Sequence, residues 1–184
     1  MQLPIFLYGQ SVLRKQAEEI TPDYPGLKDL ISNMQDTLEH ADGVGLAAPQ
    51  VGLPIRLFIV DLRPLADMDP SFGDYTRSFI NPKILEYSEE TEILEEGCLS
   101  VPGIHENVPR SLKILLQYQD TDFTQHEEVF EDYVARVIQH EYDHLNGKVF
   151  TDRINPIRKQ LVKGKLNNIL KGRVDCDYKT RALR

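Results

Sequence analysis

The amino-acid sequence predicts an α+β fold in which mostly antiparallel β-sheets pack around a central helix, with an N-terminal and a C-terminal helix in addition. Three observations support this prediction. Short apolar or β-branched segments are grouped in the middle of the chain, helical periodicity occurs before and after them, and strand and helix do not alternate regularly. The length of 184 residues, with 41% hydrophobic residues, suits a single domain over residues 1–184.

The helices are predicted from apolar residues that recur every three or four positions. One such pattern covers residues 25–41, and a second covers residues 132–147. A third helix is expected to begin at Asn155-Pro156, a capping residue followed by a proline that suits the first turn, and to end before Gly172. Its apolar residues are expected to dock on the body of the protein: Ile157, Leu161, Leu166, Ile169 and Leu170.

Strands are predicted for residues 57–62, 77–85 and 113–118. Each segment is short, rich in apolar or β-branched residues, and bounded by Pro, Gly or Asp. No internal repeat or change in composition marks a second domain.

Charge and cysteine content limit the classes of function. The net charge of −8 argues against a general nucleic-acid binder. The segment 156–184 has the opposite sign, with only Asp175 and Asp177 against Arg158, Lys159, Lys163, Lys165, Lys171, Arg173, Lys179, Arg181 and Arg184. Two cysteines are too few for a disulfide framework, no stretch approaches the roughly 20 apolar residues of a membrane helix, and no secretion signal opens the chain. We therefore expect a cytoplasmic protein without membrane contact.

The most informative segment is His140-Glu141-Tyr142-Asp143-His144. Residues four apart lie on one face of a helix, so His140 and His144 can bind one cation while Glu141 stays close to its bound water. The central helix is therefore predicted to be a metal-binding helix, and the spacing suggests metal-assisted hydrolysis.

A catalytic site of this type needs a third protein ligand. No His or Glu follows His144, which leaves Cys176 and scattered Asp residues downstream. Upstream, Cys98 is the preferred candidate, because a thiolate binds borderline divalent ions well and Gly97 allows close approach of the backbone. The competing ligands are His40, His105 and His126, of which His40 and His126 lie in polar stretches that are expected to be exposed.

The glycine-rich segment 43–48 matches the dinucleotide-binding pattern G-x-G-x-x-A, and Asp61 follows at nearly the required distance. That pattern needs a strand before it and a helix after it, whereas here a helix precedes it and Pro49 interrupts the residues after it. Two alternatives remain. The segment is either a plain turn or a strand with an exposed backbone that pairs with an extended peptide, while Gln50 points its amide at a reacting carbonyl.

Three segments together resemble the peptide deformylase family, in the order that the family shows. They read Gly43-Val44-Gly45-Leu46-Ala47-Ala48-Pro49-Gln50, Glu96-Gly97-Cys98-Leu99-Ser100 and His140-Glu141-Tyr142-Asp143-His144. The resemblance covers most of the chain except the final tail. It implies a hydrolase that removes the formyl group from the N-terminal formylmethionine of new polypeptides, so that nascent N-formylmethionyl peptides are the expected partners.

The resemblance also implies one Fe²⁺ per chain, bound by Cys98, His140 and His144. Ligand types alone would suggest zinc, so iron rests on the family; Zn²⁺, Ni²⁺ or Co²⁺ are expected substitutes. The implied roles in catalysis and substrate binding are the acid/base for Glu141, oxyanion donors for the Gln50 side chain and the Leu99 backbone N–H, and peptide-backbone contacts for Val44, Gly45 and Gly97.

Three further residues have open interpretations. Glu96 and Asp143 are candidates for orienting the ligands, with a structural salt bridge as an equal alternative for each. His105 stands where many members of the family carry Arg, and it is either a substrate contact or an ordinary loop residue.

Two other functions are consistent with the sequence. One is a noncatalytic metal-binding module that contacts ribosomal RNA through the basic segment 156–184, a contact that a deformylase would also make use of; the alternative for this segment is a solvated helix face. The other is a metallopeptidase that cleaves internal peptide bonds.

Overall fold

The computed structural model describes residues 1–183, and Arg184, the last residue of the predicted basic segment, lies outside the described residues. The helices are α1 (Leu27–His40), α2 (Asp132–Leu145) and α3 (Pro156–Leu170). The strands are β1 (Ile5–Phe6), β2 (Gly45–Ala47), β3 (Leu57–Asp61), β4 (Thr76–Tyr87), β5 (Thr91–Cys98), β6 (Val101–Ser111), β7 (Lys113–Gln119), β8 (Gln125–Glu131) and β9 (Thr180–Arg181).

Antiparallel pairing dominates the sheets. Five strands form one antiparallel sheet in the order β2-β3-β4-β7-β8, and β5 and β6 form a separate antiparallel hairpin. The short strands β1 and β9 pair in parallel. The predicted α+β class with mostly antiparallel sheet is confirmed.

Helix α2 occupies the centre of the fold and packs against β2, β3, β6 and β8. Its amphipathic sequence explains this position, because Ile138 and Leu145 are fully buried on one side. All three predicted helices are confirmed to within a few residues. The predicted start of α3 is also confirmed, since the Asn155 side chain accepts a hydrogen bond of 2.8 Å from the Ile157 N–H, with Pro156 in the first turn.

The predicted docking of Ile157 and Leu161 was wrong. These side chains are 72% and 66% exposed, whereas Leu166 and Ile169 are buried as predicted, together with Val162. Residues at positions i, i+4 and i+7 share one face of a helix, so the buried face that begins at Val162 turns the other pair away from the body. The outer surface of α3 therefore carries two apolar side chains among its exposed lysines.

The sequence did not predict the β5–β6 hairpin or strand β8. In β6, buried and exposed residues alternate, but the buried positions include Glu106 and Arg110. Apolar and polar residues therefore do not alternate along this strand. Strand β8 carries three glutamates and exposes most of its residues. Strand signals based on apolar alternation therefore miss both. Over residues 1–183, no helix is long and apolar enough to cross a membrane.

Candidate metal centre

Helix α2 presents His140 and His144 on the same buried face, one turn apart. Their ring centroids are 5.3 Å from each other. Cys98 is the last residue of β5, where the hairpin register shifts before the turn at Leu99 and Ser100. The helix and the hairpin therefore converge on one point from distant parts of the chain.

The three predicted ligands come together. Cys98 Sγ lies 3.3 Å from His144 Nε2, and the donor atoms of Cys98, His140 and His144 all lie within 4.8 Å of one another. Metal bonds of about 2.3 Å to sulfur and about 2.1 Å to nitrogen can bridge such separations, so the donor set fits a single cation. Within residues 1–183, no other group of three or more His, Cys, Asp or Glu side chains brings its ligand atoms this close together.

The competing candidates are not part of the cluster, although His105 lines the same cleft. His40 is exposed and contacts the Asp36 backbone carbonyl, and His126 is half-buried beside the Asp120 carboxylate. His105 belongs to strand β6 rather than to a loop, and its exposed ring lies against Gly97, where a Cβ would come within 2.7 Å of the ring. Whether His105 contacts a substrate stays a prediction.

A charge network lies beside the cluster; it is formed by the buried residues Glu96, Arg110, Arg136 and Asp143, with the more exposed Arg153 at its edge. Glu96 Oε1 lies 2.8 Å from His140 Nδ1, which leaves Nε2 of that ring for the cluster. Arg110 donates two hydrogen bonds of 2.9 Å to Glu96 and one of 2.6 Å to Asp143. Arg136 also donates to Glu96, at 2.7 Å.

The two predicted supporting carboxylates thus have different positions. Glu96 contacts a candidate ligand directly, whereas Asp143 accepts hydrogen bonds from Arg110 and Arg153. Burial favours the neutral form of Glu96, but the hydrogen bonds from Arg110 and His140 outweigh it and hold the pKa of Glu96 well below its usual range. Glu96 is therefore a carboxylate that fixes the orientation of the His140 ring.

The two histidines have opposite electrostatic surroundings. Burial, together with the charge of His140, lowers the pKa of His144 to about 3, so this ring is neutral and can donate a lone pair. Burial acts in the same direction on His140, but hydrogen bonds with Cys98 and Glu96 raise its pKa above the usual value. A cation at the cluster would oppose protonation of either ring.

Glu141 follows His140 and is 4% exposed. Its Oε2 has no hydrogen-bond partner among the described residues, and burial raises the pKa of Glu141 to about 7. Gly45 of β2 lies directly against this carboxylate, because a Cβ at Gly45 would overlap Glu141 Oε1. The absence of a side chain at Gly45 leaves room for the Glu141 carboxyl group. Its Oε2, which has no partner among the described residues, is available to bind a ligand.

Gln50 is fully buried, in the short turn that follows β2. Its Oε1 accepts a hydrogen bond of 2.8 Å from the Ala47 N–H, which fixes the orientation of the amide. Its Nε2 donates to Ser100 Oγ at 3.2 Å and lies 3.5 Å from Cys98 Sγ. The amide N–H groups are therefore directed toward the cluster.

An open cleft of about 440 Å³ leads to the cluster. Val44, Gly45, Gly97 and Leu99 are among the residues that line the cleft. Strand β2 is at the edge of the five-stranded sheet, paired only with β3 over the described part of the chain. The cleft therefore has room for an extended chain beside an open strand edge.

Several residues of the site were not predicted from the sequence. Arg136 could have been found, because it precedes His140 by one helical turn. Arg110 gave no signal, since its burial depends on the unpredicted β5–β6 hairpin. Residues 175–178 of the tail also line the cleft; among them Cys176, the downstream candidate ligand, is not part of the cluster.

A Cys-His-His cluster that could hold a metal ion lies beside an unpartnered glutamate, at an open cleft in an α+β fold, and this arrangement is typical of metal-dependent hydrolases. Residues 2–160 match the family model described as polypeptide deformylase. The chain belongs to this family, and the resemblance and the hydrolase class predicted from the sequence are confirmed.

Named relatives agree with this assignment. A peptide deformylase of Christiangramia forsetii is 47% identical, over 98% of this chain and 96% of the relative. The crystal structure of the peptide deformylase from Thermotoga maritima, at 46% identity, superposes with a TM-score of 0.77 and covers 85% of this chain and 99% of that one. A peptide deformylase from Acinetobacter baumannii, described as bound to Met-Ala-Ser, is 36% identical with a TM-score of 0.76, covering 84% of this chain and 99% of that one.

Proposed function

We propose that this protein removes the formyl group from the N-terminal formylmethionine of newly synthesised polypeptides. Family membership supports the reaction class, and one observation carries the residue-level proposal: Glu141 Oε2 is buried and unpartnered beside the Cys98, His140 and His144 cluster. The tripeptide Met-Ala-Ser in the Acinetobacter relative supports a peptide N-terminus as the occupant of the cleft.

Cys98, His140 and His144 would hold one cation, which we take to be Fe²⁺, with Zn²⁺, Ni²⁺ or Co²⁺ as substitutes. The choice of iron rests on the family, because two imidazoles and a thiolate suit zinc equally well. When bound, the cation would lower the pKa of a water molecule and polarise the formyl carbonyl.

Glu141 moves the proton in the proposed reaction. Its carboxylate accepts a proton from the attacking water, whose oxygen forms a bond with the formyl carbon. Glu141 then donates that proton to the amine nitrogen as the carbon–nitrogen bond breaks, which releases formate and a free N-terminus. A carboxyl group with a pKa near neutrality is suited to both transfers.

The oxyanion that develops on the formyl oxygen would be stabilised by Gln50 Nε2 and by the Leu99 backbone N–H. The hydrogen bond from Ala47 N–H to Gln50 Oε1 supports this role, because a donor that is already oriented needs no rearrangement during the reaction. Val44, Gly45 and Gly97 would bind the peptide backbone, with β2 offering its open edge.

Formate release provides the test of this function. Iron-loaded protein, prepared without oxygen, is expected to release formate from formyl-Met-Ala-Ser, and Cys98→Ser is expected to lose both the cation and the activity. The measurements are formate production and metal content on the same sample. Absence of formate release by fully loaded protein would exclude the proposal, whereas cleavage of unformylated Met-Ala-Ser would favour a metallopeptidase.

Contact with the ribosome through α3 and the tail is the second proposal. Lys159, Lys163 and Lys165 are exposed on α3, so this helix carries a basic surface on a protein whose net charge is −8. Removal of α3 would not test the contact cleanly, since the helix contributes Val162, Leu166 and Ile169 to the core.

Replacing the three α3 lysines by glutamine is therefore expected to weaken ribosome binding and to reduce its dependence on salt. A control with the same change in charge replaces the exposed residues Lys15, Lys28 and Lys83 by glutamine. Sedimentation with ribosomes at several salt concentrations measures the effect. Equal binding by the two triple variants would contradict the contact.

Domain organisation and cellular location complete the proposal. A single catalytic domain is supported by one hydrophobic cluster that includes Ile5 near the start of the chain and Ile169 in α3. A substrate made by the ribosome supports action in the cytoplasm.

A further inference from the structure

The chain after α3 forms a C-terminal strap, residues 172–183, which returns along the body of the protein. Its strand β9 pairs with β1, and the Gln10 side chain donates a hydrogen bond of 2.7 Å to the Ala182 carbonyl. The family model ends at residue 160, before the strap. The match to the Christiangramia forsetii relative covers 98% of this chain, so that relative aligns with most of the strap as well.

The strap reaches the cleft and contacts the turn that carries Leu99. Asp175, Cys176, Asp177 and Tyr178 line the same cleft as Cys98 and Glu141. The Tyr178 hydroxyl donates a hydrogen bond of 2.8 Å to the Leu99 carbonyl. This contact joins residues 79 positions apart in the chain.

The turn at Leu99 and Ser100 is held from three directions. Tyr178 binds the Leu99 carbonyl, the Tyr8 N–H donates to the Ser100 carbonyl at 2.7 Å, and Gln50 Nε2 donates to Ser100 Oγ at 3.2 Å. The N–H and the carbonyl of Leu99 are joined through one Cα. A fixed carbonyl therefore limits the backbone rotation that would turn the N–H away from the cleft.

We propose that Tyr178 is a positioning residue, which holds the Leu99 backbone so that its N–H points at the developing oxyanion. This inference rests on the role of the Leu99 N–H in the proposed function. An oxyanion donor is effective only when it is aligned before the reaction, at about 2.7 to 3.1 Å from the oxygen that develops charge. Burial raises the pKa of the Tyr178 phenol, so the hydroxyl stays protonated and donates.

The test compares Tyr178→Phe with Tyr24→Phe. Both tyrosines are partly buried against the same hydrophobic cluster, and each variant loses only a hydroxyl group. Tyr178→Phe is expected to lower kcat by about 3- to 10-fold, the effect of one neutral hydrogen bond, with KM and metal content unchanged and the melting temperature lowered by only about 2 to 4 °C. Tyr24→Phe is expected to leave all four quantities at the wild-type value.

Amide hydrogen exchange at Leu99, measured by NMR on the full chain, gives a second readout that does not depend on activity. The Leu99 amide is expected to exchange about 3- to 10-fold faster in Tyr178→Phe than in Tyr24→Phe. Unchanged exchange would overturn the positioning role, as would an unchanged kcat or a loss confined to stability. If the wild-type protein released no formate at all, the proposed function would fail, while the exchange experiment would still decide whether Tyr178 orders Leu99.

Discussion

Glu141→Gln is expected to lower kcat for formate release by about 10²- to 10⁴-fold without loss of the bound cation. Glutamine has nearly the same size, so the close fit against Gly45 is retained, but its amide cannot accept a proton from water. His140 and His144, which lie before and after Glu141 in α2, are expected to keep their contacts in this variant. The effect should therefore fall on turnover and not on metal binding.

The measurement pairs steady-state kinetics on a formylated peptide with metal analysis of the same preparation. Glu127→Gln, at an exposed position of β8, supplies the control for the chemical change. It should behave as wild type. A Glu141→Gln protein that kept its cation and more than about a tenth of the wild-type kcat would refute the assignment of the proton acceptor.

Arg110→Met is expected to lower the free energy of unfolding by about 3 to 5 kcal/mol. The Arg110 side chain is 2% exposed, and it binds both Glu96 and Asp143. Its removal takes away the guanidinium that the two buried carboxylates share, and breaking buried ion pairs by removing one partner is costly even though Arg136 and Arg153 remain. Glu96 would also lose part of the support that orients His140.

Urea denaturation of the metal-free proteins measures this loss, because a bound cation would add its own stabilisation. Arg77→Met is a suitable control. Arg77 pairs with Glu128 at the surface, where both side chains are about 40% exposed, and a pair of this kind contributes roughly 1 kcal/mol or less. Equal destabilisation by the two variants would contradict the importance of the buried network.

The sequence predicted those parts of the site that depend on local geometry. The spacing of His140 and His144 places both rings on one helix face wherever that helix lies, and this holds in α2. The choice of Cys98 depended instead on the chemistry of its side chain. The structure brings it within 3.3 Å of His144, as expected.

Long-range features were not accessible in the same way. Arg110 and Glu106 occupy the buried face of β6 because partners from other elements neutralise them, and one strand taken alone does not reveal those partners. The contact between Tyr178 and Leu99 likewise depends on how the tail returns to the cleft. Within α3, apolar residues occurred on two faces, and only packing decided which face was buried.

Two arginines, Arg153 just before α3 and Arg158 in its first turn, each bind a carboxylate of the rest of the protein in a bidentate way. Arg153 donates two hydrogen bonds of 2.6 Å to Asp143 of α2, and Arg158 donates two, of 2.8 and 2.9 Å, to Glu106 of β6. The backbone of α3, which carries the exposed lysines, is therefore held in one orientation relative to the Cys98, His140 and His144 cluster. An enzyme that binds a partner through α3 would therefore hold the opening of its cleft in one fixed direction relative to that partner. A flexible connection would not fix this direction.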